Sequence, residues 1–313
     1  MRVGYDPKKG RIKTDVPGIA IDRAFGAHYH IPAASAAAES DTAVMALTAL
    51  GAEASSVATG FTNPAVPRNV KVDGSAANMT GNVKVYGTNF AGAAINETIA
   101  LNGTTARAGN LAFKIITKVD LPARTNTPAK QKATVAVTAG ASGAGDSVLT
   151  FTAAALGDDS PKDITVTLAA EDNTTAEVAA KIAAALNADE DFTAYFVAAS
   201  TEANVTIESK TYAAQDETIN LVVKTAGDPN ITVGAIDVDT VAGVAEDKVS
   251  IGLGKKFGIP YKLTADELVI IKLFDNTADT GTVTPDADEL EKNVIELNGT
   301  PDGLKDIDLY IVV

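Results

Sequence analysis

PRNVKVDGSAANMTGNVKVYGTNFAGAAINETIALNGTTARAGNLAFKIITKVDLP, residues 67–122, is the stretch that sets the fold class. Within it NVKV, GNVKVYGTN, ETIAL and AFKIITKVDLP alternate apolar and polar residues. Asp73-Gly74, Gly81, Gly87, Gly92, Asn102-Gly103 and Gly109 interrupt the runs. Alternation at period two, punctuated by Gly, Asn and Asp, predicts antiparallel strands joined by tight turns. Nothing in the stretch is a reactive constellation.

Outward from it, composition narrows the chemistry. The chain has 313 residues, enough for two domains with separate cores. Aromatics make up 5% and Trp is absent, so the cores must be built from Val, Ile, Leu and Ala. There is no cysteine, which excludes disulfides, thiolate metal ligands and thiol nucleophiles. The opening residues are polar and lack the apolar centre of a signal peptide, and no stretch approaches the roughly 18 apolar residues of a membrane helix. The expectation is a protein without membrane contact, made in a cytoplasm. Net charge is −14. That weighs against a nucleic-acid partner, because phosphate binding needs Lys/Arg surfaces.

Residues 1–32 read as an extended, Pro/Gly-spaced arm with little regular structure. It is locally basic through Arg2, Lys8, Lys9, Arg11, Lys13 and Arg23. His28 and His30 are the only histidines, and an extended backbone puts both on one face. Zinc would need two further ligands, so a satisfied or exposed pair is expected. Residues 33–60 are Ala-rich and predict a loop followed by a short strand or helical turn.

After Pro122 the pattern changes. RTNTPAKQKA reads as a linker. ATVAVTAGASGAGDSVLTFTAAALG predicts two strands flanking a Gly/Ser hairpin loop. One convincing helix is expected from Thr175 to Ala188: Thr174 and Glu177 form a Thr-x-x-Glu capping box, and Val178, Ile182, Ala185 and Leu186 share a face. Strands surround it, giving a small α+β unit over residues 129–246. That unit holds 6 Lys/Arg and 18 Asp/Glu, a net of −12, against −2 for the rest. The alternating pattern resumes in DKVSIGLGKKFGIPYKLT, DELVIIKLFDN reads as a buried strand, and DIDLYIVV as a terminal strand paired inside a sheet. TVTPDADELEKNVIELNGTPDGLKD reads as polar and turn-rich. The fold expected is mainly β: an antiparallel β-sandwich or barrel body, residues 1–128 plus 247–313, interrupted by an inserted acidic α+β domain.

Four patches carry a family resemblance: GYDPKKGRI with VPGIAIDRAFGA; NPAVPRNVKV, VKVYGTNFAGAAINETIAL and AFKIITKVDLPA; DKVSIGLGKKFGIPYKL; and NGTPDGLKDIDLYIVV. Together they resemble small structural proteins encoded in the head-gene regions of tailed bacteriophages. The resemblance covers roughly half the chain. In that family the second and third patches lie close in sequence; here residues 129–246 separate them, which marks that unit as an insertion. The resemblance implies a virion component, a capsid decoration protein on the outer face of the head, with the major capsid protein as partner and a homo-oligomeric or symmetric array as its state. A tail-tube or tail-associated protein and a carbohydrate-binding module are the alternatives. The residues imply no enzyme, no cofactor, no metal and no catalytic or binding site residue.

Other motifs have ordinary readings. Asp158-Asp159, Glu190-Asp191, Asp237-Val238-Asp239 and Asp286-Ala287-Asp288-Glu289 read as solvated loop charges rather than a glycosidase pair, since no Trp is present to line a sugar cleft. No segment matches a DxDxDG calcium loop. ASGAGDS lacks the Lys of a P-loop.

Overall fold

The computed structural model describes Gly4–Asp6, Arg11–Lys13, Ala20–Ile21, residues 26–260, Val269–Leu273, Gly281–Val283, and residues 286–297 and 301–312. Strands hold 48% of the residues and helices 14%, so the chain is mainly β, as its alternation predicts. It divides into two compact units, Met1–Thr125 with Asp247–Val313, and Asn126–Glu246. The first junction falls before residue 128 for a local reason. The Thr125 N–H is held by Asp247 Oδ2 at 2.7 Å, while Ala129 and Val244 already exchange backbone hydrogen bonds.

In chain order the first unit, the body, forms β1 (Gly4–Asp6), β2 (Arg11–Lys13), β3 (Ala20–Ile21), β4 (Gly26–Ile31), β5 (Ser40–Ala49), β6 (Ser55–Val57), β7 (Arg68–Gly74), β8 (Asn82–Thr88), β9 (Ala94–Ala100), β10 (Arg107–Phe113) and β11 (Ile115–Leu121). The insert forms β12 (Lys132–Ala139), β13 (Gly145–Thr152), β14 (Lys162–Leu168), α1 (Thr175–Ala188), α2 (Glu190–Tyr195), β15 (Phe196–Thr201), β16 (Asn204–Ser209), β17 (Asn220–Thr225) and β18 (Thr232–Val241). The body then resumes with β19 (Lys248–Gly258), β20 (Val269–Leu273), β21 (Gly281–Val283), α3 (Ala287–Lys292), β22 (Val294–Glu296) and β23 (Ile307–Val312).

The body's sandwich has two sheets. One runs β10-β7-β19, with β5 and β22 sharing the far edge of β19; the other runs β6-β11-β8-β9. Alternation decides what faces inward. Val70 and Val72 of β7, Val83 and Val85 of β8, Val119 and Leu121 of β11, and Val249 and Ile251 of β19 all enter one core. Each fully buried aliphatic side chain contributes about 1.5–3 kcal/mol. Arg68 is also inside, 1% exposed. Its Nε donates to Gly254 O at 2.8 Å and its Nη1 to Ala37 O at 2.6 Å, while the guanidinium lies 4.7 Å from the Phe257 ring centroid. Burial lowers its pKa to about 10. A third sheet, β21-β20-β23-β4, pairs β4 with β23 from Ile31↔Ile307 to Gly26↔Val312 and joins a separate small core with Phe257 and Ile295.

The insert has its own core. Sheets β15-β16-β12-β18 and β14-β13-β17 and helix α1 enclose Phe151, Ile182, Leu186, Phe192 and Ile207. The capping box is formed: the Glu177 N–H donates to Thr174 Oγ1 at 3.2 Å and the Thr174 N–H to Glu177 Oε2 at 3.0 Å.

Several expectations are corrected. Residues 4–6, 11–13 and 20–21 are short strands of a three-stranded sheet rather than an irregular arm; Arg2, Lys8, Lys9 and Arg23 lie outside the described residues. In the Ala-rich segment the strand alternative holds but is longer than expected, the ten-residue β5, because pairing with β19 overrides alanine's helix preference. β12 and β13 are not a hairpin. Both edges of β12 are occupied, by β16 and β18, so β13 crosses into the other sheet. Helices also occur beyond α1. The α2 turn takes the first half of FTAYFVAAS, and α3 stands in the body on a second capping box, Asp286 with Glu289.

Candidate functional site

The residues weighed from sequence fall in different places. His28 and His30 do share a face of β4, and both reach one carboxylate. Asp308 Oδ1 lies 2.5 Å from His28 Nε2 and 3.0 Å from His30 Nδ1. Asp308 is 2% exposed, and Asp306 Oδ1 accepts the Ala33 N–H at 2.7 Å. The pair therefore links β4 to β23. Among the described residues no group of three or more His, Asp or Glu side chains is arranged to hold a metal. Asp158 and Asp159 are exposed in a short 3₁₀ segment. Asp191 pairs with Lys162, which raises the lysine's pKa. Asp286 and Glu289 are spent on the α3 cap, and Asp288 pairs with Lys292 at 2.6 Å. Asp237 and Asp239 alternate on β18, both exposed.

A polar arrangement that sequence reading did not single out covers the outer face of β6-β11-β8-β9. Val83, Val85 and Gly87 of β8 point inward, which leaves Lys84 and Tyr86 outward. Val119 and Leu121 of β11 do the same for Lys118 and Asp120. Register then sets Tyr86 opposite Lys118, and Lys84 opposite Asp120. Lys84 Nζ and Lys118 Nζ lie 5.0 and 4.8 Å from the Tyr86 ring centroid. Such ammonium–ring contacts are worth about 0.5–1 kcal/mol each at exposed sites.

Asp120 organises the face. Ser56 Oγ and Lys118 Nζ approach its Oδ1 at 2.5 and 2.9 Å, and the Tyr86 hydroxyl donates to its Oδ2 at 2.8 Å. The Ser56 bond first, then those from Lys118 and Tyr86, lower the Asp120 pKa to about 2. The same carboxylate raises the Lys118 pKa. At the β8–β9 turn Lys114 Nζ lies 5.6 Å from the Phe90 ring, which meets Tyr29 edge-on at 5.8 Å. Ile115 beside it is 44% exposed. Among the described residues Lys84 and Lys114 have ring partners and no carboxylate. Lys84, Lys118 and Tyr86 share the face, and Lys114 with Phe90 stands at its β8–β9 end.

The alternation in VKVYG and KVDL puts Lys with Tyr and Lys with Asp on common faces. Only the strand register shows that these four residues meet.

No protein-family model, no curated protein and no solved structure matches this chain.

Proposed function

We propose that the chain is a non-enzymatic structural protein of a tailed-phage virion, acting as a capsid decoration protein on the outer face of the head. The observation that carries this reading is how the family-like patches meet. β7, from the second patch, pairs with β19, from the third, through Gly74↔Val249 and Val72↔Ile251. β4, which begins at the end of the first patch, pairs with β23 of the fourth. Segments that share a resemblance thus build common sheets, while the acidic insert, with a core of its own, leaves and re-enters through Thr125 and Asp247. In this reading the body attaches to the major capsid protein and the insert is carried by it. Many weak contacts repeated by symmetry hold such a coat, so no single residue need dominate. The protein's place is the virion, after synthesis in the bacterial host. Among the described residues no helix is long and apolar enough to cross a membrane.

The test is co-sedimentation of the recombinant chain with separated heads and tails of a phage that encodes it, each prepared without it. Saturable binding to heads is the expected result. Binding to tails alone moves the protein to the tail, and binding to neither overturns the virion reading.

A further inference from the structure

We propose that the Lys84–Tyr86–Lys114 surface of the body docks the acidic edge strand β18 of the insert of a second copy. The inference is independent of the virion reading, since it concerns two copies of this chain alone.

The body surface is cationic where the chain as a whole is acidic. Lys84 and Lys114 meet no carboxylate among the described residues, and Lys118 meets only Asp120. Their ammoniums rest against the Tyr86 and Phe90 rings. A lysine already settled on a ring loses less side-chain freedom when a carboxylate arrives.

The matching surface is on the same polypeptide. Residues 126–246 hold 6 Lys/Arg and 18 Asp/Glu, a net charge of −12. Within them β18 is the outermost strand of its sheet. Asp237, Asp239 and Val241 are all exposed along it, where β18 slips register against β12. No cation pairs with either aspartate among the described residues. Asp237 accepts only from the Thr240 hydroxyl at 3.3 Å and the Asp239 N–H at 3.4 Å. Val241, 37% exposed, supplies an apolar counterpart for Ile115. The two surfaces are thus opposite in charge, and each carries one exposed aliphatic side chain.

The two surfaces differ, so the contact is heterologous. Each copy that gives one of the two surfaces keeps the other, so the contact propagates into a ring or an array.

Charge reversal tests this in the full chain by sedimentation velocity. The wild type is expected to self-associate with rising concentration, and raising NaCl from about 0.05 M to about 0.5 M is expected to weaken that association about tenfold through screening. Lys84→Glu with Lys114→Glu is expected to stay monomeric, and so is Asp237→Lys with Asp239→Lys. Mixed in equal amounts, the two variants are expected to associate again, because each supplies the surface the other needs. Should a reversal unfold the chain, the neutral Lys84→Gln with Lys114→Gln is expected to lose association while keeping the wild-type melting temperature. A wild type that is monomeric at every concentration and salt overturns the inference. So does association that survives both reversals, which would place the contact elsewhere, and so does a mixture that stays monomeric, which would make the occupant something other than a second copy.

Discussion

The side-chain position missing at Gly109 is the space that the Glu97 carboxylate fills: a Cβ there would stand 2.3 Å from Glu97 Oε2. The arrangement follows from a bulge. Between Ala108 and Ala112 strand β10 slips out of register with β7. The amides of Asn110 and Leu111 then donate to Glu97, at 2.6 Å to Oε1 and 3.0 Å to Oε2. Glu97 belongs to β9 of the facing sheet, so one carboxylate ties the two sheets at their edge. Glu97→Ala is expected to destabilise the body by about 1–3 kcal/mol, the usual cost of leaving such donors unpaired. Gly109→Ala is expected to destabilise it by displacing the same carboxylate. Because both act on one contact, the double variant is expected to lose less than the sum of the two. Urea unfolding of the three variants measures this, and strict additivity would refute the coupling.

Asp120 predicts the acid behaviour of the body. Its folded pKa, about 2, is below the ordinary aspartate value because Ser56, Lys118 and Tyr86 all favour the charged form. A depressed folded pKa contributes stability that is fully present above the unfolded value of about 3.9 and is lost as pH falls toward 2. Asp120→Asn is therefore expected to flatten the fall in urea midpoint between about pH 5 and pH 2.5. An unchanged slope would mean that other carboxylates govern acid unfolding.

The insert is expected to fold alone, and the body without it. Residues 126–246 contain a complete core. On the body side the Thr125 N–H and Asp247 Oδ2 are 2.7 Å apart, so a short Gly/Ser linker spans the gap. Expressed separately, both parts are expected to unfold cooperatively on heating. If the linked body fails to fold, the insert is part of its core stability and the two-unit description fails in solution.

How legible was this in the sequence? Helix α1 was readable because its determinants are local: a cap at Thr174–Glu177 and an apolar face spaced for a helix. The strands from β7 to β11 were readable by alternation. Other elements depend on partners far along the chain. Alanine-rich β5 is a strand only because β19 lies beside it, and the fate of β12 depends on β16 and β18 occupying both its edges. The short α3 had a local signal in Asp286 and Glu289, hidden among neighbouring turn residues. The lysine–tyrosine face lacked any such signal, since Tyr86 and Lys118 meet only through register. The same holds for the use His28 and His30 make of Asp308.

The pairing of β7 with β19 also sets a timetable. A ribosome delivers β7 early, and the strand it needs emerges only after the whole insert has been made. At about 5–20 residues per second that interval is on the order of ten seconds. During it the insert, whose core is drawn from one continuous segment, can finish folding, while β7 waits with one edge open. The nascent body is a half-built sheet held in readiness, and the acidic module that interrupts it is born complete. An insertion at this point therefore delays its host without competing for its strands, and the exposed edge of β7 during synthesis is where a chaperone would act.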